Sequence, residues 1–372
     1  MPPGCPRPWL PGDVRRALAV TGIGLAATAV LAVAAVCLGS GCSTLGYYGQ
    51  AVQGHLDVMQ RARPVTDWLS DSGTPQTLRE RLQLTQQLRD FAVGELKLPD
   101  NPSYRSYADL QRSAVVFNVV ATPELSLTLK TWCFPVMGCV GYRGYFSRAE
   151  ADALAAQLKA EGLEVSVYGV PAYSTLGWSN WIGGDPLLNT FIDWPEAELA
   201  RLIFHELAHQ VAYAADDTTF NESFATAVER LGGERWLATR PQARAEHERQ
   251  QQRRADLREL MQRQRDRLLA LYGSAQDDAV KRARKAELMT QWRAEYEAIK
   301  RERWAGFAGY DAFIARANNA SFGVQAAYND GVPAFERLFE RQGRDFARFH
   351  AEVQRLAALP RAERRAALGL PP

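Results

Sequence analysis

Cysteine, histidine and net charge are all scarce in this chain of 372 residues. Lysine plus arginine (44) nearly balance aspartate plus glutamate (42), which excludes a strong global field drawing the protein to nucleic acid or to an acidic surface. Three of the five cysteines, Cys5, Cys37 and Cys42, fall within the first 42 residues. Only Cys133 and Cys139 remain beyond them, too few for a cysteine-based zinc cluster. No internal repeat is present, which excludes an array of stacked units. Against only five histidines, two that stand four residues apart, His205 and His209, are conspicuous.

One long apolar run exists, Ala17 to Leu38, and Arg15 and Arg16 precede it. Basic residues ahead of such a run mark an export signal or a membrane anchor. Cys42 then follows Gly39, Ser40 and Gly41, with Leu38 four positions before it. This resembles a bacterial lipobox, whose cysteine is diacylated and becomes the mature N-terminus, although the apolar residue usually sits three before the cysteine, where Gly39 stands here. An uncleaved anchor is the alternative. Either tether leaves the following chain on the exported side of a membrane, and Ser43 after Cys42 points to the outer membrane. The expectation is a lipid-anchored protein facing the periplasm. In that oxidising compartment Cys133 and Cys139, with Pro135 and Gly138 between them to turn the chain, are expected to close a short disulfide loop. Buried free thiols are the other reading.

Beyond the leader, 1–42, the pattern of apolar residues divides the chain. Residues 43–113 carry helical spacing in Tyr48, Val52, Leu56 and Met59, and again in Leu78, Leu82, Leu88 and Phe91. Residues 114–233 begin with β-branched and aromatic runs at 114–122, 125–134 and 165–170 around a helical stretch at 148–162, which predicts a small mixed sheet with one crossover helix. A Gly-, Trp- and Asn-rich loop, 172–194, leads into a helix over 195–214 and a second over about 220–232, stopping at Gly232 and Gly233. Residues 234–304 are rich in Arg, Gln and Glu with two narrow apolar stripes, one through Leu257, Met261, Leu268 and Tyr272, the other through Leu288, Trp292, Tyr296 and Ile299. The break at Gly273 and Ser274 predicts a long antiparallel helical hairpin, a solvated arm open to a protein partner. Residues 305–372 return to globular texture, a helical segment completing the cleft. The fold class is α+β, predominantly helical.

The chemistry lies in FHELAHQVAYAADDTTFNESFA, residues 204–225. A helix turns 100° per residue, so His205 and His209 project from one face, where two imidazoles can reach one zinc ion. Glu206 flanks them, positioned to take a proton from a polarised water and return it to a leaving amine. The apolar surroundings, Leu202, Ile203, Phe204 and Leu207, would half-bury three polar side chains that gain little there without a partner. A third ligand is needed, and no histidine is well placed: His55 and His350 are remote and His247 lies in the arm. Glu222 leads, on the next helix. Thr219 and Glu222 also form a capping-box pattern that would engage Glu222 with the backbone and leave the ligand role to Glu229, two turns on.

HELAH followed by FNESFA resembles the zincin metallopeptidases whose third ligand comes from an N-E-x-x-A motif. With the lipobox, WCFPVMGCVGYRGYF, AYSTLGW and the segment from Asn318 and Asn319 through Tyr-x-x-x-V-P-x-F, the chain resembles over residues 42–345 a family of bacterial lipoproteins described as putative aminopeptidases. The resemblance implies a zincin-like core with the small sheet packed on the HExxH helix, Zn2+ as cofactor on His205, His209 and Glu222, and Glu206 as base. It also suggests Tyr328 as a stabiliser of the oxyanion, a packed core tyrosine being the alternative. Two departures stand out. The aspartate that some zincins place four residues after the ligand glutamate is Thr226 here, so Asp216 or Asp217 is expected to orient a histidine, and SNWIGG lengthens the loop after AYSTLGW.

The expected function is a membrane-anchored zinc metallopeptidase acting on peptides or proteins, with an edge strand of the sheet to hold an extended substrate. Aminopeptidase specificity rests on the family resemblance. An endopeptidase of envelope proteins, and a non-catalytic lipoprotein with a structural zinc and a partner-binding arm, are the alternatives.

Overall fold

A computed structural model describes residues 42–134, 138–172, 184–215, 217–324 and 331–370. The chain divides into units 1–56 and 57–372. In the first, helix α1 (Cys42–Arg61) begins at the cysteine and runs on past the boundary. Among the described residues no helix is long and apolar enough to cross a membrane. The apolar run at 17–38 lies outside them.

The second unit opens with a two-residue strand β1 (Arg63–Pro64) and helices α2 (Val65–Ser70) and α3 (Gln76–Gly94). Then come β2 (Ser106–Ala108), β3 (Val116–Pro123), β4 (Trp132–Phe134), β5 (Gly138–Val140), β6 (Arg143–Tyr145), helix α4 (Arg148–Ala160), β7 (Leu163–Val170) and β8 (Leu187–Leu188). Helix α5 (Glu196–Ala208) carries His205, with His209 at its C-cap, and α6 (Thr218–Leu237) carries Glu222. Helices α7 (Pro241–Tyr272) and α8 (Asp278–Glu302) form the hairpin. Five shorter helices close the chain: α9 (Asp311–Arg316), α10 (Asn319–Val324), α11 (Val332–Arg341), α12 (Phe346–Ala357) and α13 (Arg361–Leu368).

Three buried clusters hold this unit. In the largest, α5 and α6 contribute Ile203, Phe204, Leu207, Phe220, Phe224 and Val228, packed against α3 on one side and α11 and α12 on the other. Side chains so buried are each worth about 1.5–3 kcal/mol relative to leaving them in water. The apolar spacing that marked α5 as a helix is therefore also what anchors the histidines.

The sheet predicted from 114–170 has strand order β6-β3-β7 with both neighbours antiparallel to β3, and α4 crosses from β6 to β7. Its main packing is not on the histidine helix, although Val116 at the start of β3 reaches that core. Val119, Ala121 and Val165 form a separate cluster with Ala151, Ala155 and Leu158 of α4, and α10 covers the sheet as well. The strands that share the histidine core are instead β1-β2-β8, a small mixed sheet through Tyr107, Ala108, Leu187 and Leu188. Regular strand within the expected 125–134 run forms only over β4, which pairs with β5 so that Cys133 lies opposite Cys139, and the two are disulfide-bonded.

Two helix ends differ from the sequence pattern. Helix α5 stops at Ala208 rather than near 214, because Gln210 and Val211 donate to the carbonyls three residues back and tighten the chain at once. Helix α6 does not stop at its glycines. A Cβ on Gly232 would lie 2.6 Å from Leu96 and 3.1 Å from Phe204, so the glycines serve close helix packing rather than termination.

The hairpin is not simply a solvated arm. Leu260, Met261 and Leu268 of α7 and Met289, Trp292 and Tyr296 of α8 make a third cluster, which Trp304, Ile314 and Phe322 complete. Residues 305–372 are thus shared between this cluster and the histidine core, which takes Phe335, Phe339 and Phe349.

Candidate metal centre

Pro195 stands at the N-cap of helix α5, with Glu196 and Glu198 in its first turn, and His209 caps its end. A short connection leads to α6. Asn221 closes it by accepting from the Ala214 amide and donating to the Ala214 carbonyl, both at 2.8 Å. Asp217 caps α6, accepting from the Phe220 amide at 3.1 Å. The capping-box role considered for Glu222 therefore falls to another residue. Thr219 lies inside the helix, and the Glu222 carboxylate turns to the histidines.

The Nε2 atoms of His205 and His209 are 3.2 Å apart. Glu222 places Oε2 3.5 Å from His205 Nε2 and Oε1 3.7 Å from His209 Nε2. One donor atom from each of the three lies within 4.8 Å of the others, the spread that ligands about 2 Å from a common cation would have. Two imidazoles and a carboxylate are a donor set suited to zinc and to several other transition metals.

Glu229 is not in this group. Its Oε2 lies 3.0 Å from His205 Nδ1, the ring nitrogen facing away from Glu222, and Arg201 Nη2 holds its Oε1 at 2.5 Å. A carboxylate on the far nitrogen fixes the tautomer and orientation of a ligating histidine. Glu229, three residues beyond Thr226, thus supplies the support that Thr226 cannot.

The local charge favours a cation. Burial opposes a proton on His205, yet Glu222 and Glu229, with the nearby charge of Glu206, hold its pKa up at about 10. His209 moves the other way, because burial and then the adjacent His205 disfavour a second positive charge. The glutamates stay ionised: burial works against both, but His205 and His209 lower Glu222, and His205 and Arg201 lower Glu229.

Glu206, next to His205 on α5, is half-buried, and its charge reaches Tyr104. Tyr104 is 2% exposed and sits at φ 63°, a left-handed conformation unusual for a tyrosine. Burial and then Glu206 and Asp185 push its phenol up. Nothing in NPSYRSY signals this residue, because no periodic pattern surrounds it. Arg201 was legible in principle, since it precedes His205 by one helical turn.

Other expected residues are placed elsewhere. Asp217 does not orient a histidine; besides capping α6 it pairs with Arg364 at 3.4 Å and Arg365 at 3.2 Å. Asn318 and Asn319 tie the β3-β7 sheet to the hairpin: Asn318 donates to the Val165 carbonyl at 3.0 Å, and Asn319 donates to the Glu124 carbonyl at 2.7 Å and accepts from Tyr272 at 2.9 Å. Tyr328, Asp216 and the SNWIGG stretch up to its last glycine, Gly184, lie outside the described residues.

Neither a curated protein nor a solved structure matches this chain. A family model does, described as "Putative aminopeptidase", and it spans residues 46–368, covering the histidine helix, Glu222 and the hairpin. The chain, with a His-His-Glu group able to hold a metal at its centre, belongs to the putative aminopeptidase family.

Proposed function

We propose that this protein is a zinc-dependent aminopeptidase, tethered by lipid at Cys42 to the outer membrane and facing the periplasm. The observation that carries the catalytic part is the convergence of His205 Nε2, His209 Nε2 and the Glu222 carboxylate beside Glu206. The family supports peptide as the substrate class. The core around α5 and α6 is the zincin-like element of this reading.

His205, His209 and Glu222 hold the ion. Bound there with an open coordination position, zinc would lower the pKa of a water and polarise the peptide carbonyl. Glu206 accepts the proton of the attacking water and passes it to the scissile amide nitrogen, which leaves as the amine of the shortened peptide. Glu229 and Arg201 keep His205 in the tautomer that presents Nε2 to the metal. Tyr328 is proposed to hydrogen-bond the developing oxyanion, a role for which Tyr104, near Glu206, is the other tyrosine to test.

The test is digestion of a mixed peptide library by the purified, zinc-loaded protein and by Glu206→Gln, with cleavage sites read by mass spectrometry and zinc by elemental analysis. The reading expects removal of single N-terminal residues by the wild type and, in the variant, one bound zinc without cleavage. Internal cuts would replace the aminopeptidase with an endopeptidase. A Glu206→Gln protein as active as the wild type would end the catalytic reading and leave a structural metal site.

A further inference from the structure

Behind the metal group, between α6 and α7, lies a cavity of about 880 Å³. It does not include the facing Nε2 atoms. It reaches Glu229 and Arg201, the pair that backs His205. The inner lining is short of acceptors. Arg201 gives Nη2 to Glu229, but its Nε and Nη1 are buried without a hydrogen-bond partner, and Glu198 Oε1 stands 3.9 Å from Nη1. Gln251 Nε2, also in the lining, is likewise buried without a partner. Leaving such donors unmet is unfavourable, so the site favours a ligand that brings acceptors.

The outer lining adds positive charge. Arg244 and Arg258, both exposed on α7, make no ion pair among the described residues. The carboxylates of the lining are either engaged, Glu229 with Arg201 and His205 and Glu336 with Arg230, or turned to solvent, as Glu234 and Glu248 are. Gly233 keeps the space open, since a Cβ there would sit 3.1 Å from Arg201 Cγ.

We propose that this cavity is a second ligand site, taking a small dianion such as a dicarboxylate or a phosphate on Arg201 and Gln251, with Arg244 and Arg258 flanking it along α7 as attracting positive charge, and linked to the metal centre through Glu229. A planar guanidinium with free N–H groups suits both oxyanions. A dianion on Arg201 weakens the hold of Arg201 on Glu229 and leaves that carboxylate a stronger acceptor for His205 Nδ1–H. It also adds negative charge near the metal. Both effects tighten cation binding, and the coupling must be reciprocal.

The experiment is calorimetric titration of the full zinc-loaded chain with succinate and, separately, with inorganic phosphate, repeated on an Arg244→Ala/Arg258→Ala variant whose changes lie on the exposed face of α7. At least one anion is expected to bind saturably to the wild type and at least about tenfold more weakly to the variant, equivalent to about 1.4 kcal/mol. Which anion binds separates a carboxylate source from a phosphate source. In chelator-buffered zinc, a saturating anion is expected to raise the zinc affinity of the wild type by at least about fivefold and that of the variant by less. No saturable binding of either anion would overturn the site. So would equal affinity in the variant, which would put the anion elsewhere, including on the metal itself. Anion binding that leaves zinc affinity unchanged would overturn the link through Glu229.

Discussion

Glu229 Oε2 stands 3.0 Å from His205 Nδ1, while Arg201 takes the other oxygen of the same carboxylate at 2.5 Å. The two glutamates of α6 thus reach opposite nitrogens of one imidazole, Glu222 at Nε2 and Glu229 at Nδ1. They differ in what their loss should do. Glu222→Ala removes one of the three proposed ligands and should abolish stoichiometric zinc binding. Glu229→Gln leaves the ligands in place and should weaken zinc by about 10–100-fold, as loss of an outer support does. Zinc affinities by chelator competition distinguish them, and equal loss in both variants would refute the division of roles.

His205 offers a second check. With the carboxylates of Glu222 and Glu229 holding a proton on it, its pKa stands near 10 in the absence of an ion, so at neutral pH zinc must displace that proton. Zinc binding near pH 7 should release about one proton, measurable as a buffer-dependent heat of binding. A heat independent of the buffer's ionisation enthalpy would contradict it.

Glu198, on α5 two turns before His205, joins the histidine helix to α7 by pairing with Arg254 at 2.5 Å and His247 at 3.2 Å. Burial raises its pKa, but His247, Arg254 and Arg201 together outweigh burial and bring it down from 4.5 to about 2. Because the folded pKa is depressed, the stabilisation is complete above the unfolded value and is lost as pH falls from about 4.5 towards 2. Its size is on the order of 3 kcal/mol. Urea unfolding of the wild type and Glu198→Gln between neutral pH and pH 2 should show a gap that closes over that interval. A gap independent of pH would assign the loss to packing.

Gly232 is a test of helix packing. In an exposed helix Gly→Ala gains about 1 kcal/mol. At position 232 the new Cβ meets Leu96 at 2.6 Å and Phe204 at 3.1 Å, both fully buried, so Gly232→Ala should instead destabilise by about 1–3 kcal/mol. Thermal or urea unfolding decides the sign, and a stabilised variant would show that the helices have room to part.

Asp217 and Arg364 are both almost wholly buried, their side chains 1% and 3% exposed. Arg364→Met leaves the Asp217 charge, among the described residues, with Arg365 as its one ion-pair partner at 3.2 Å and should cost about 3 kcal/mol. Because Asp217 caps the helix that carries Glu222, zinc affinity should also fall. Unchanged unfolding in this variant would show that Arg365 suffices.

The sequence alone determined the local chemistry. Four-residue spacing on an amphipathic helix settled that His205 and His209 share a face, and the apolar neighbours settled that they are partly buried, because both follow from helical geometry and the hydrophobic pattern. The two hairpin helices were legible for the same reason. What depended on approach between segments was not. Whether Glu222 capped its helix or faced the histidines turned on where α6 begins, and Asp217 decided that. That Glu229 supports His205, that Gly232 joins helices rather than ending one, and that the β6-β3-β7 sheet forms a core apart from α5 all rest on tertiary contacts. Periodicity records which face of an element is buried. Its partner is chosen only when the elements pack.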